Sequence, residues 1–325
     1  MREKIIRAIL DSGDSFISGE QLSKALGISR TAIWKHINAL REEGYNIESV
    51  NKKGYRLAER PHDILLLENI SHNLSTEFIG KNIIHLDTVG STNDYAKEIG
   101  NKVNGGTLII SEQQTKGKGR LGRSWKSKLG DGIWMSLIIK PKIEPYKAPF
   151  LTLVAGASII KALDNLGVDV SIKWPNDIIL NYKKICGILT ELSAEMERVN
   201  YIVIGIGINV KTLEFPEEIK EKATSLYKEG YKLSRVDIVR QFCIEFEKLY
   251  KAYILDGNKD STLEICKKYS AIIGNHVYLI KNNKKELVEC IDINENGNLI
   301  IKENNGEIKE ILSGEVSIRG VKGYV

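Results

Sequence analysis

The chain has 325 residues, 42% hydrophobic and 27% charged, enough for two or three domains and the composition of a soluble globular protein. Its net charge of +5 is mild, so any nucleic-acid binding has to come from a local patch. No apolar run reads as long enough to span a bilayer, and Met1 to Ile6 reads as a helix rather than a signal peptide, so a cytoplasmic location without a membrane partner is expected. The four cysteines (Cys186, Cys243, Cys266, Cys290) have no short pair spacing and the five histidines are dispersed, which argues against a metal cluster or a disulfide framework.

Ile5, Ile6, Ile9 and Leu10 fall on one face of a short helix, broken by Asp11-Ser12-Gly13-Asp14. Ser18 to Ile37 then reads as a helix, a tight turn at Gly27 and a second helix. Leu22, Leu26, Ile28, Ile33 and Ile37 face inward, and small Ala25 and Gly27 permit close helix approach. Ser29 is the expected N-cap, which leaves Arg30, Thr31, Trp34 and Lys35 to a major groove. A wing follows, with Lys52 and Lys53 at its tip to meet phosphates. The pattern predicts a winged helix-turn-helix DNA-binding domain over residues 1–60, ending near Arg60-Pro61, and a dimer on a two-fold operator.

From Asp63 onward helices and strands mix. Ile83 to Asp87 reads as a strand entering Thr88 to Asp94, with a helix beginning near Tyr95 and Ser91, Thr92 and Asn93 at its N-terminus, where small polar ligand groups are well served. Phe150 to Leu166 reads as an amphipathic helix, followed by Val170 to Trp174, Ile178 to Leu180, Lys184 to Glu191 and Tyr201 to Val210 as strands whose short loops favour antiparallel pairing. Gly205-Ile206-Gly207-Ile208-Asn209 lacks the third glycine of a dinucleotide fingerprint and reads as strand throughout.

The most informative stretch is Gln114 to Trp125, where Gly117, Gly119 and Gly122 alternate with Lys116, Lys118, Arg120 and Arg123. Glycines let backbone N–H groups approach an anion, and the two guanidinium forks grip phosphate or carboxylate oxygens in pairs. A nucleotide P-loop is excluded because Arg123 stands where lysine is required and Lys126 to Gly132 is too glycine-rich to open a helix. Apolar runs on both sides predict a mobile loop tethered to a sheet, suited to covering a ligand after it binds. Beyond Ser234–Tyr253 and Ser261–Tyr269, which read as helices, five short strands after Gly274 suggest a small barrel.

Gly90-Ser91-Thr92-Asn93, the Gly-Lys-Gly-Arg-Leu-Gly-Arg-Ser-Trp loop, Lys173-Trp174-Pro175-Asn176-Asp177, Lys184 to Leu189 and Gly205 to Asn209 together resemble the biotin protein ligase family. With the N-terminal domain, the chain resembles its bifunctional form, ligase and biotin operon repressor. One departure is Lys118, where the family's loop usually has arginine. The resemblance implies an α+β architecture: the winged domain (1–60), a catalytic domain of mixed α/β biotin/lipoate ligase type (61–273) and an SH3-like C-terminal domain (274–325).

It also implies that biotin is activated by ATP to biotinyl-5′-adenylate and passed to a lysine of a biotin carboxyl carrier protein, with Mg²⁺ travelling with ATP and no metal site in the protein itself. Ser91, Thr92, Asn93 and Gln114 would meet the ureido head of biotin, Lys184 would sit at its carboxyl end, and Lys118, Gly119 and Arg120 would also bind it, Lys118, Arg120 and Arg123 neutralising phosphate and carboxylate. Gly117, Arg120, Arg123, Trp125, Lys173, Asn176 and Asn209 would hold the adenylate. Lys184, Arg120 and Asp177 would carry catalysis, Asp177 by helping the incoming lysine lose its proton. The adenylate would also serve as corepressor, pairing two subunits on operator DNA. Two rival readings are a lipoate ligase, which shares fold and adenylation logic, and a repressor that senses its ligand without turning it over.

Overall fold

The Ser18 hydroxyl accepts from the Gln21 N–H at 3.1 Å while the Gln21 side chain accepts from the Ser18 N–H at 2.8 Å. This reciprocal cap opens α1 (Gly19–Leu26), which Gly27 ends in the left-handed region at φ 66°. Ser29 Oγ accepts from Ala32 N–H at 3.1 Å at the start of α2 (Arg30–Glu42), as the sequence predicts. The computed structural model describes residues 1–325 apart from 2, 3, 6, 7, 10, 11, 13, 14, 43, 44, 58–62, 196, 197, 282, 283, 314, 315 and 322 and the side chain of 42. The predicted helix face at Ile6 and Leu10, most of its Asp11–Asp14 stop and the Arg60-Pro61 boundary lie outside those residues. Within the unit Met1–Ile64, Ile5, Ile9, Leu22, Ile33, Ile37 and Leu40 form the buried interior.

Two details of that unit differ from expectation. Ala25 is exposed and a side chain at Gly27 would meet nothing within 4 Å, so neither provides close helix approach; Gly27 is required by its left-handed backbone. Close approach occurs instead at Gly54, where a Cβ would stand 2.2 Å from the Ile17 carbonyl oxygen. Gly54 begins β2 (Gly54–Leu57), which pairs antiparallel with β1 (Ile47–Val50) to make the wing.

The second unit, Leu65–Val325, is built on a seven-stranded sheet in the order β3-β4-β5-β9-β8-β7-β6. Its strands are β3 (Ile83–Val89), β4 (Thr107–Gln114), β5 (Gly132–Ile139), β6 (Ser171–Lys173), β7 (Asp177–Leu180), β8 (Lys183–Glu195) and β9 (Arg198–Asn209). All neighbours pair antiparallel except β3 and β4, which run parallel. A short α3 (Leu67–Ser71) precedes the sheet, and α4 (Thr92–Ile99) links the parallel pair. Alternation along β9 divides the two faces. Ile202, Ile204, Ile206 and Ile208 enter the main core, while Tyr201 and Val203 join Ala96, Ile109 and Ile138 in a smaller core beside α4.

The main core is completed by α5 (Phe150–Asn165), α6 (Arg235–Ile254) and α7 (Asp260–Lys268). α5 is not amphipathic as predicted: it is buried nearly all round, between the sheet and the other two helices. With its preceding turn, Pro145–Asn165 also corrects the expectation that no apolar run reaches bilayer length. By length and composition this helix qualifies, but 72% of its apolar window is buried, as in a core helix. Each buried Leu or Ile there contributes roughly 1.5–3 kcal/mol.

The last five strands are β10 (His276–Lys281), β11 (Lys284–Ile293), β12 (Leu299–Glu303), β13 (Ile308–Ile311) and β14 (Ser317–Gly320), an antiparallel sheet in the order β13-β12-β11-β10-β14. Val277, Val288, Cys290, Leu299 and Ile301 share the main hydrophobic cluster with the α/β body, and the Trp174 indole donates to the Gly297 carbonyl at 2.9 Å.

Candidate active site

The residues of β9 that face α4 become glycine at Gly205 and Gly207, and Gly187 of β8 stands opposite Gly207. Their missing side chains open a slot of about 50 Å³, lined at one end by Ser91, Thr92, Asn93 and Gln114. A Cβ at Gly205 would stand 2.2 Å from Asn93 Oδ1, and one at Gly207 would stand 2.7 Å from the Trp125 ring. The sequence pattern dismissed as a weak dinucleotide fingerprint is thus strand, as predicted, and its glycines at alternate positions form the slot floor.

The polar end of the slot is rigid. α4 begins at Thr92, earlier than the predicted Tyr95, and the Ser91 hydroxyl makes no capping bond. The Thr92 N–H and hydroxyl donate to Gln114 Oε1 at 2.9 and 3.1 Å, and Gln114 Nε2 donates to Ser127 Oγ at 2.8 Å. The Asn93 amide donates to Glu191 Oε2 at 2.7 Å and to the Leu189 carbonyl at 3.3 Å. Ser136, which sequence reasoning missed, donates to Asn93 Oδ1 at 2.6 Å and lies 2.8 Å from Thr92 Oγ1. Its signal was a single hydroxyl inside the otherwise apolar strand Gly132–Ile139.

A cleft of about 960 Å³ adjoins the slot, lined by Arg123, Lys173, Asn209, Lys222, Phe215 and Arg319 among others. Gln114, Gly119, Arg120, Trp125, Asn176 and Lys184 line both cavities. Trp125 lies against Gly187 and Gly207 with Lys184 Nζ 5.1 Å from its ring centroid, so the indole is the partition between slot and cleft.

The basic segment is a small folded hairpin rather than a loose loop. Gly119 N–H donates to Arg123 O at 2.7 Å and Trp125 N–H to Gly117 O at 2.8 Å, around a turn at Arg120–Gly122. No helix follows, in keeping with exclusion of a P-loop; β5 begins at Gly132. Arg120 donates to Asn176 Oδ1 at 2.8 Å and to the Ser313 carbonyl, reaching from the hairpin to the turn after β6 and to the segment between β13 and β14. Lys118 also lines the slot and pairs with Asp94 at 2.7 Å. Gly117 lines neither cavity; a Cβ there would meet Trp125 O at 2.5 Å, so this glycine serves the hairpin.

Asp177 is ion-paired to Lys184 at 2.5 Å and accepts a hydrogen bond from the Tyr324 hydroxyl. Burial pushes its carboxyl up, but Lys184, Tyr324 and Lys173 together hold it below the ordinary carboxylate range. A carboxylate so stabilised is a poor proton acceptor, and the geometry fits it better as an anchor for Lys184 than for the predicted deprotonation. Lys173 is pulled down to about 7, chiefly by burial, against the attraction of Asp177 and with help from Arg319, Lys184 and Arg123. Asn176 and Asn209 are buried, donating to the Ile188 and Thr224 carbonyls at 2.9 and 3.1 Å. Among the described residues, no group of three or more His, Cys, Asp and Glu side chains is disposed to hold a metal ion.

In the N-terminal unit, Arg30, Thr31, Trp34 and Lys35 are all exposed on α2, Trp34 at 54%, and Lys52 and Lys53 are exposed at the wing tip. Arg56 braces the wing through Glu48 at 2.7 Å and the Phe16 ring at 4.7 Å.

Three family models match the chain in succession: an HTH domain over residues 2–56, the Biotin/lipoate A/B protein ligase family over 86–209 and the Biotin protein ligase C terminal domain over 272–319. The bifunctional ligase/repressor BirA of Bacillus subtilis (strain 168) is 40% identical over 323 residues, covering 98% of both chains. The chain belongs to this family of bifunctional ligase/repressors. It is therefore a ligase joined to a helix-turn-helix domain. The Escherichia coli (strain K12) member is 33% identical over 317 residues, covering 97% of this chain and 96% of its own. The structure of a biotin protein ligase from Aquifex aeolicus in complex with biotin and ATP matches with a TM-score of 0.63 and 34% identity, over 74% of this chain and 99% of that one.

Proposed function

We propose that this ligase joins biotin to ATP across the Trp125 partition and then transfers the biotinyl group to a lysine of a biotin carboxyl carrier protein. The observation that carries the reading is the shared wall: Arg120 and Lys184 reach both the polar-ended slot and the large cationic cleft. The slot end offers hydroxyls and amides to a ureido head, and the cleft offers Arg123, Lys173 and Arg319 to phosphates.

In the first step a biotin carboxylate oxygen bonds to the α-phosphorus of ATP and the bond to pyrophosphate breaks. Two anions must meet, so Lys184 and Arg120 screen the carboxylate and α-phosphate and hold them in line. Mg²⁺ arrives on the ATP phosphates. In the second step the carrier amine attacks the acyl carbon, AMP leaves and the amine gives up a proton. Lys173, lowered to about 7 chiefly by burial, lines the same cleft.

The exposed face of α2 and the lysine-tipped wing support operator binding, with the adenylate as corepressor of a homodimer in the cytoplasm. The direct test is pyrophosphate release with Mg²⁺-ATP and an acceptor carrier domain, run with biotin, with lipoate and with neither. Release with biotin, with a matching mass gain on the acceptor, is the expected result. Release with lipoate alone would move the fold to that substrate, and binding without release would leave a sensor.

A further inference from the structure

After β14 the chain turns back on itself, the Gly320 N–H donating to the Tyr324 carbonyl at 3.4 Å. A side chain at Gly320 would stand 2.3 Å from the Val325 backbone, so the glycine fixes how closely the segment returns. The return brings Tyr324 into the wall of the cleft. Its hydroxyl donates to Asp177 Oδ2, its carbonyl accepts from the Lys173 ammonium, and its ring centroid lies 3.7 Å from the same ammonium. The other Asp177 oxygen, Oδ1, is the one paired with Lys184.

A carboxylate turns easily about its last side-chain bond, because that torsion has broad minima. With Lys184 alone as a partner, the Asp177 carboxylate could follow the flexible ammonium wherever it went. With Tyr324 on the opposite oxygen, its plane is fixed and Lys184 has a stationary counter-charge. Tyr324 also gives Lys173 a carbonyl and an aromatic face.

We propose that Tyr324 is a positioning residue for adenylate formation: it orients Asp177, and through Asp177 it aims Lys184 at the reacting carboxylate. The inference rests on the ligase reading above. The groups facing Asp177 are Lys184 and Cys186 from β8, Lys173 from β6, Arg120 from the basic hairpin and Tyr324. Burial and the neighbouring Asp177 raise the Tyr324 phenol far above neutrality, so it remains a donor across the working range.

The test is Tyr324→Phe in the full chain, which removes one donor and keeps the ring over Lys173. The sign follows from the contact. Asp177 loses a group that stabilises its ionised form, so its pKa rises, and activity that needs the ionised carboxylate is lost at a higher pH as the solution is acidified. The acid limb of kcat for biotin-dependent pyrophosphate exchange is expected to move up by on the order of one pH unit. Near neutral pH, kcat should fall roughly tenfold with little change in KM for biotin. A uniform loss at every pH, or an unchanged profile, would overturn the proposal, since a packing role predicts one or the other. If the wild-type chain shows no biotin-dependent exchange, the ligase reading fails on its own evidence. In that case ¹³C-NMR titration of the Asp177 carboxyl in wild type and variant still decides, and an unmoved Asp177 pKa sinks the positioning role.

Discussion

Gly207→Ala isolates the slot floor. The new Cβ would stand 2.7 Å from Trp125 Cε2 and Nε1, short of the 3.4 Å of ordinary contact by about 0.7 Å. The indole belongs to a hairpin whose neighbouring residues Leu121 to Ser124 are exposed, so it can shift at little cost. Overpacking in a rigid core costs about 1–3 kcal/mol; here the penalty should be under about 1 kcal/mol, a small displacement of Tm. The slot itself cannot yield in the same way, because β8 and β9 are interior strands paired on both sides. The methyl remains in the space a bicyclic ring must enter, and biotin affinity should drop about 10- to 100-fold, or roughly 1.4–2.8 kcal/mol. Titration calorimetry with biotin, paired with thermal melting, reads both quantities. ATP binding in the adjoining cleft should be nearly unchanged. Unaltered biotin affinity in a folded Gly207→Ala protein would show that the ligand lies elsewhere. Gly205→Ala provides the contrast: its Cβ meets Asn93, which Ser136, Glu191 and Leu189 hold in place, so stability and binding should fall together.

Arg120→Ala removes the contacts to Asn176 and Ser313, and the adenylate should escape at least tenfold faster in a single-turnover release assay; wild-type retention would free Arg120 of that role. Glu112 is opposed by burial but held by His85 and Arg235 at about 2, below its ordinary 4.5. It therefore contributes stability above the unfolded pKa and loses it as pH falls through about 2, an amount on the order of 3 kcal/mol at most. Urea denaturation of Glu112→Gln should show a shallower loss between pH 4.5 and 2 than wild type, and parallel curves would refute the assignment. Replacing Lys52 and Lys53 together by alanine should weaken binding to all DNA sequences alike and lower the slope of log K against log salt by about two. A loss confined to one operator sequence would instead place those lysines at base edges.

How much of this was legible in the sequence depends on the range of the signal. The Ser29 cap, the wing turn and the antiparallel pairing through short loops after Val170 are local, and their residues announce them. Ser91 to Asn93, Gln114, Asn176 and Lys184, far apart in the chain, line one slot. What could not be read was contact across long separations. Nothing near Ser313, Gly297 or Tyr324 in the sequence points to Arg120, Trp174 or Asp177, since each contact is made by a backbone carbonyl or a hydroxyl brought in by the C-terminal sheet. α5 was misjudged for a related reason: its polar positions are few, and only the presence of α6 and α7 on its outer side explains why the rest can be apolar. Asp177 shows the limit for chemistry, because the Lys184 and Tyr324 contacts that hold its carboxyl below the ordinary range cannot be read from its own identity.

The unequal anchoring of the basic hairpin determines which end gives way to a ligand. Its Lys118 end is tied to Asp94 by a pair in which both side chains are more than a third exposed, an interaction of about 0–1 kcal/mol that salt weakens further. Its Arg120 end is held by a neutral amide and a backbone carbonyl inside the wall shared with the cleft, where a guanidinium's bonds are worth roughly 1.5–3 kcal/mol each. Trp125 lies against the glycine floor between the two anchors, so a group larger than the slot enters only as the indole moves. The cheaper movement keeps Arg120 in place and releases Lys118, swinging the hairpin about its Arg120 end.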